Sequence, residues 1–366
     1  MNNNNFIPQM MPLFGEEEKI AMAKYMDEGG FLTEFKRTTI FENMIAEYTG
    51  SKHCIVVNNG TISLTLAAIA CGIKYGDEVI VPNYTMVATP NSVSMIGAKP
   101  IFVDVDSDTL SINLEEVKNA ITDKTKAIMY VSSNGRYPPY EIELLSNLAK
   151  ENGIALIEDA AQSLGSFNPN GDHIGREGSV GSFSFSAPKI ISTGQGGALI
   201  TDDDEIAYKI RRLKDFGRSG GGNDIHDSIG FNFKFTELQA CIGIEQMKKL
   251  SSRVERKKEI YNLYKEGLKN IQGISLFHND VKYTAPWFYD SLVENREELM
   301  KYLKSKNIGT RVMYPPINKQ LAYNEDSFFT VSEKIGHKGL WLPSAVQLKD
   351  SEIEYITKSI AEFYST

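Results

Sequence analysis

Short apolar runs alternate with stretches of helical spacing through the middle of the chain. His53–Val57 (HCIVV) reads as a strand, as do residues 78–81 (EVIV, closed by Pro82), 101–105 (IFVDV), 127–131 (AIMYV), 155–157 (ALI) and 182–185 (SFSF). Residues 62–70 and 143–152 have helical spacing between them. Strand–helix alternation of this kind predicts an α/β fold whose largely parallel sheet is covered on both faces. From Thr236 the pattern changes. Apolar residues recur at helical spacing among many Lys and Glu, with almost no breaker before Gly267, which predicts one long helix, a bend in it left open. A strand at 274–277 and helices at 296–306 and 351–364 follow, the makings of a smaller α+β unit. The expected division is a large domain over residues 1–245, including the N-terminal segment, and a small C-terminal domain over 246–366. No internal repeat is visible. The stretch 217–223 (GRSGGGN) reads as the most flexible interior segment, and the Asn2 to Asn5 run as a frayed terminus.

Length and composition narrow the class. A chain of 366 residues suits two domains and buries about three quarters of its unfolded surface, so it needs no disulfide or metal for its core. A net charge of −8 argues against a general nucleic-acid binder, and 42% hydrophobic residues argue against disorder. Cys54, Cys71 and Cys241 form no CxxC and no Cys/His cluster, so no metal site is expected. A sparse, odd cysteine count fits a reduced, cytoplasmic setting. No leader pattern and no run of about 18 apolar residues is present, so no membrane contact is expected. His53, His173, His226, His278 and His337 are scattered and read as surface or satisfied core residues.

Three segments carry candidate chemistry. In 157–166 (IEDAAQSLGS) a strand ends in Glu158 and Asp159, and the carboxyl ends of strands are where open α/β sheets collect ligands. Asp159 there suits a charged ring nitrogen, a metal or a ribose, and equally a helix cap. In 181–198 (GSFSFSAPKIISTGQGGA) Lys189 follows a strand bearing Ser182, Ser184 and Ser186 and precedes a glycine-rich turn. Lysine condenses with carbonyls when held desolvated, although a solvated loop lysine reads the same way. GQGG matches neither GxGxxG nor the P-loop pattern, which weakens nicotinamide and ATP readings. In Asn58-Asn59-Gly60-Thr61 a strand opens into a helix, whose first N–H groups form either an anion site or an ordinary cap. A phosphate cradle, a strand-end acid and a lysine thirty positions later are together what a pyridoxal phosphate enzyme requires.

With these segments in hand, the chain resembles the DegT/DnrJ/EryC1/StrS sugar aminotransferases, pyridoxal-phosphate enzymes of the aspartate aminotransferase fold (type I). The likeness spans nearly the whole chain, from FENMIAEYTG and NNGTISLTLA through GDEVIVPNYTMVAT, GAKPIFVDVD, IEDAAQSLGS and GSFSFSAPKIISTGQGGALITDD to GFNFKFTELQACIG and RVMYPPINKQLAY. Within the family it is most similar to perosamine synthetase-type 4-aminotransferases. The resemblance implies transfer of an amino group from L-glutamate to C4 of a nucleotide-linked 4-keto-6-deoxyhexose, with a perosamine- or viosamine-type product for glycan assembly. It implies Lys189 as the lysine that binds the cofactor aldehyde and shuttles protons, and Asp159 as the partner of the ring nitrogen. It places Gln162 beside the ring, Gly60, Thr61 and Ser184 at the phosphate, and Tyr314 with nearby Asn318 near the sugar nucleotide. Asn232 would reach the phosphate from a partner subunit, making a homodimer the active unit. Arg218, beside flexible glycines, is the better diphosphate candidate than the basic stretch Arg211, Arg212 and Lys214, which also reads as a solvated helix face.

Four departures stand out. Met86 occupies a position where relatives usually carry an aromatic that stacks on the cofactor; a thioether packs there less rigidly. The loop Ser132 to Tyr137 (SSNGRY) replaces a pattern close to HLYGHP, Asn318 stands for a usual histidine, and Lys234 for a common arginine. A 3-aminotransferase or a dehydratase on the same scaffold, and a catalytically silent regulatory paralogue, remain open beside the 4-aminotransferase. Lys189 argues against dehydration, because the dehydrating branch carries histidine there.

Overall fold

The computed structural model describes residues 6–219, 224–323 and 325–365; the Asn2 to Asn5 run and residues 220–223 of the glycine-rich stretch lie outside the described residues. Seven strands form the first sheet: β1 (His53–Val57), β2 (Glu78–Pro82), β3 (Lys99–Val103), β4 (Thr125–Val131), β5 (Ala155–Asp159), β6 (Val180–Ser184) and β7 (Gly197–Thr201). Their spatial order is β1-β7-β6-β5-β4-β2-β3. β3, β2, β4, β5 and β6 run parallel, and β7 lies antiparallel between β6 and β1. The strands read as unbroken apolar runs because both faces are covered. Val79, Val81, Met129 and Ile157 pack on Leu64, Leu66 and Ala67 of the helix Gly60–Ala70. Ile80, Ile128, Tyr130 and Leu156 pack on Leu145 and Ala149 of the helix Ile142–Glu151.

The expected α/β architecture is therefore present, with differences in detail. β3 begins and ends two residues before the expected 101–105. Asp104 leaves the ladder because its carboxylate accepts the N–H groups of Val331 (2.8 Å) and Ser332 (2.9 Å). β7 was not foreseen, since its apolar residues follow directly on the glycine turn. The single long helix is two helices, Glu237–Lys248 and Leu250–Leu268. At Lys249 the N–H bonds to the Gln246 carbonyl (3.1 Å), tightening the turn and redirecting the chain. The second helix then packs Ile260, Tyr261 and Tyr264 against the second sheet.

That sheet is antiparallel, ordered β10-β11-β9-β8, from β8 (Ile274–Leu276), β9 (Tyr289–Val293), β10 (Arg311–Val312) and β11 (Gly339–Leu342). Ile7 bridges Ile308 beside it. Two helices absent from the sequence reading, Glu16–Glu28 and Lys36–Thr49, pack on Glu237–Lys248. Gly243 allows this approach, because a Cβ there would sit 2.7 Å from the Phe41 ring. Among the described residues no helix is long and apolar enough to cross a membrane.

Candidate active site

The carboxyl ends of β1, β5 and β6 converge on a cavity of about 460 Å³, which loops following β2 and the second sheet complete. Gly60, Thr61, Met86, Asp159, Gln162, Ser184, Lys189 and Tyr314 all line it. A larger open groove of about 600 Å³ lies along residues 137–143 and 168–170, but no Lys, His or Cys lines it.

Each lining group has a structural reason for its place. β5 delivers Asp159 buried; Thr89 Oγ1 donates to its Oδ2 (2.7 Å) and the Ala161 N–H to its Oδ1 (3.2 Å). Burial raises the Asp159 carboxyl above the ordinary range, while Thr89, Ala161 and the Lys189 cation pull the other way. Glu158 points elsewhere and accepts the N–H groups of Gly175 (3.0 Å) and Gly178 (2.7 Å), so the adjacent acid is a loop anchor. Lys189 sits after β6 with its Nζ 4.1 Å from the Trp287 ring centroid. Burial lowers its ammonium to about 8, although Asp159 opposes this.

Asn59 caps the helix Gly60–Ala70 by accepting the Ile62 N–H (2.9 Å). The first N–H groups of a helix have no intrahelical acceptor, which leaves those of Gly60 and Thr61 at the cavity wall. Glycine is required at position 60, since a Cβ would meet Ser184 Cβ at 2.9 Å. These features fit pyridoxal phosphate: an anion cradle at Gly60, Thr61 and Ser184, a buried carboxylate for a cationic ring nitrogen, and a desolvated amine.

The SSNGRY loop does not line the cavity itself but backs Gln162, which does. The Asn134 N–H donates to Gln162 Oε1 (2.6 Å). The Asn134 side chain donates to the Phe288 carbonyl and accepts the Phe288 N–H, both at 2.5 Å. Asn134 adopts φ +57°, a left-handed conformation that asparagine tolerates. Arg136 makes a buried two-pronged pair with Asp290 (3.0 and 2.7 Å).

Three expected residues lie outside this chain's own cavity. Asn318 is spent on the protein: it exchanges hydrogen bonds with Asn83 (3.0 and 2.9 Å) and donates to the Ser327 carbonyl and Glu333. Arg218 pairs with Asp224 (2.9 Å) and bridges His226, and Asn232 is exposed and bridged to Asp215. The basic stretch is structural: Lys214 is buried against Glu34 and Glu42, Arg211 pairs with Glu42 (3.2 Å) and Arg212 with Asp227. Conversely, Trp287, Arg311, Thr89 and Gln195 reached the site unforeseen. Thr89 lies in the quoted PNYTMVAT motif and was findable there. Arg311 opens the quoted RVMYPPINKQLAY motif and was findable in the same way, whereas Trp287 precedes β9 and carries no local pattern.

The sequence profile of the DegT/DnrJ/EryC1/StrS aminotransferase family matches residues 14–361. A GDP-perosamine synthase of Escherichia coli O157:H7 is 35% identical over 364 residues, covering 98% of this chain and 99% of that protein. A GDP-perosamine synthase of Vibrio cholerae is 32% identical, covering 98% and 99%. The crystal structure of a DegT DnrJ EryC1 StrS aminotransferase from Brucella abortus superposes with a TM-score of 0.90 at 30% identity, covering 96% of each chain.

Proposed function

This chain belongs to the DegT/DnrJ/EryC1/StrS aminotransferase family, and on that premise we propose that it moves an amino group from L-glutamate to C4 of a nucleotide-linked 4-keto-6-deoxyhexose. It is a pyridoxal-phosphate-dependent sugar aminotransferase; the donor, the position and the sugar are the proposed part. The observation that carries the reading is the meeting of the Lys189 amine, the Asp159 carboxylate and the helix start at Gly60 in one cavity. The likeness to two GDP-perosamine synthases supports C4 and a perosamine- or viosamine-type product.

When bound, pyridoxal phosphate supplies an electron sink that makes the donor's α-hydrogen acidic. The chain's residues do the rest. Gly60, Thr61 and Ser184 would hold the phosphate. Asp159 keeps a ring nitrogen cationic, and Thr89 fixes the carboxylate's direction. Met86 and Gln162 would lie beside the ring, with Gln162 aimed by the Asn134 N–H. The Lys189 amine would take the proton from the donor's α-carbon and return it at the carbon that had been the cofactor's aldehyde, as general base and then acid. Arg311 offers a cation for a donor carboxylate or a diphosphate, and Tyr314 faces the sugar. Asn232 and Arg218, which share one folded segment, enter the cavity of a second copy, making a homodimer the active unit.

The test is the visible spectrum of purified protein before and after L-glutamate. A yellow band that fades on adding glutamate supports the cofactor, lysine and donor roles together. Screening 4-keto sugar nucleotides and locating the new amine by NMR then tests the acceptor. A colourless protein after incubation with pyridoxal phosphate overturns the site assignment, a band indifferent to glutamate overturns the donor, and an amine at C3 overturns the position.

A further inference from the structure

Trp287 reaches from the second sheet's side to the reacting amine. It immediately precedes Phe288 and β9, yet its ring lies on the cavity wall with Lys189 Nζ 4.1 Å from its centroid. The face of an indole attracts an ammonium and confines the sweep of a four-bond side chain. Both ends of Trp287 are held. Its Nε1–H donates to the carbonyl of Pro188, the residue just before Lys189 (2.7 Å). Its backbone carbonyl accepts from Lys257 Nζ (2.5 Å), and Trp341 packs edge-on at 5.9 Å.

Lys257 has no assigned purpose and an unusual setting. It is buried in the helix Leu250–Leu268, its Nζ donating to the Trp287 and Ser344 carbonyls over the Tyr289 ring, at 5.1 Å. No carboxylate is among these contacts, and burial alone lowers its ammonium to about 7. A buried amine without a carboxylate is costly, and a simple core position would be filled better by an apolar side chain.

We propose that Trp287 is a positioning residue for the Lys189 amine and that Lys257, through the Trp287 carbonyl, holds the indole in that place. The proposal rests on Lys189 being the reacting amine and extends that reading to groups 68 and 98 positions away in the chain.

The chain has two tryptophans, so Trp341→Phe leaves Trp287 as the single indole emitter. Its emission is titrated from about pH 6 to 10 in cofactor-free protein. The groups round the amine are Asp159 from β5, Arg311 from β10 and Tyr314, and round Lys257 they are Tyr289, Lys189 on the wall of the same small cavity and, on its own helix, Arg253. The expected result is an inflection that vanishes in Lys189→Met and is displaced in Lys257→Met. A titration identical with and without Lys189 overturns the Trp287 contact, and one unmoved by Lys257→Met in folded protein overturns the Lys257 limb. Should Trp341→Phe fold poorly, the emission difference between the wild-type chain and Trp287→Phe gives the same comparison.

Kinetics supply the second arm. Trp287→Leu is expected to lower kcat about 10- to 100-fold with the donor KM within about twofold, a loss typical of a misplaced catalytic group. Trp287→Phe, which keeps a ring, should retain most of kcat. Equal kcat in the Leu and Phe variants overturns the role of the ring. Loss of the yellow band itself indicts the Lys189 assignment, whereas the fluorescence result concerns only the Trp287–Lys257 connection.

Discussion

At the scale of the residue, Lys189 shows how tertiary setting makes a reagent of an ordinary side chain. Burial brings its ammonium from 10.5 to about 8. The unfolded chain therefore binds more protons between pH 8 and 10.5, and this group's contribution to stability rises with pH across that window. Only the free amine condenses with an aldehyde, so borohydride-trapped labelling of cofactor-free protein by pyridoxal phosphate should rise up to about pH 8 and level off above it. A plateau reached only near pH 10.5 contradicts the lowered value. Met86 supplies a second prediction. It lines the cavity, half exposed. Met86→Phe should tighten cofactor binding roughly 2- to 10-fold, the worth of one aromatic stacking contact. Quenching of protein emission during cofactor titration measures it, and an unchanged Kd means the thioether already fills the space.

At the scale of the element, one helix start takes its cap from far along the chain. The helix Lys36–Thr49 has no capping side chain at its own start. Glu237 serves instead, accepting the N–H groups of Phe35 (2.8 Å), Arg37 (2.7 Å) and Thr38 (2.8 Å) from about 200 positions away. This explains why that helix left no start signal in its own sequence. The SSNGRY loop is a comparable case. Its Arg136 pairs with Asp290 of β9, both nearly inaccessible, at 3% and 2% exposure. Asp290→Ala leaves a buried guanidinium unpaired and should cost about 3–5 kcal/mol in urea unfolding. Arg136→Met combined with Asp290→Leu should recover most of that loss. Equal stability of Asp290→Ala and wild type would show that the pair contributes nothing.

At the scale of the whole molecule, the described residues line a cavity that includes neither Asn232 nor Arg218. The segment carrying them also exposes Phe231, Ile225 and Ile229, which suits contact with a second copy. If the copies share sites, mixing Lys189→Ala with Asn232→Ala subunits restores about a quarter of wild-type activity, because half the dimers are mixed and each holds one intact site. No rescue after verified subunit exchange contradicts the shared site.

Much of this protein was legible without coordinates. The buried strands were visible because a sheet covered on both faces demands unbroken apolar runs. Asp159, Lys189 and Gly60 were visible because strand–turn–helix junctions place chemistry at the ends of elements that announce themselves locally. The alternatives each residue carried alone, a cap or a solvated lysine, were narrowed when the fold set them round one cavity. What the linear pattern did not contain is pairing across distance. The antiparallel entry of β7, the break at Lys249, the cap from Glu237, the withdrawal of Asn318 to Asn83, and the arrival of Trp287 all depend on which surfaces meet after packing. Such contacts have no period along the chain. They are decided by the three-dimensional fit of elements whose own sequences hold no trace of their partners.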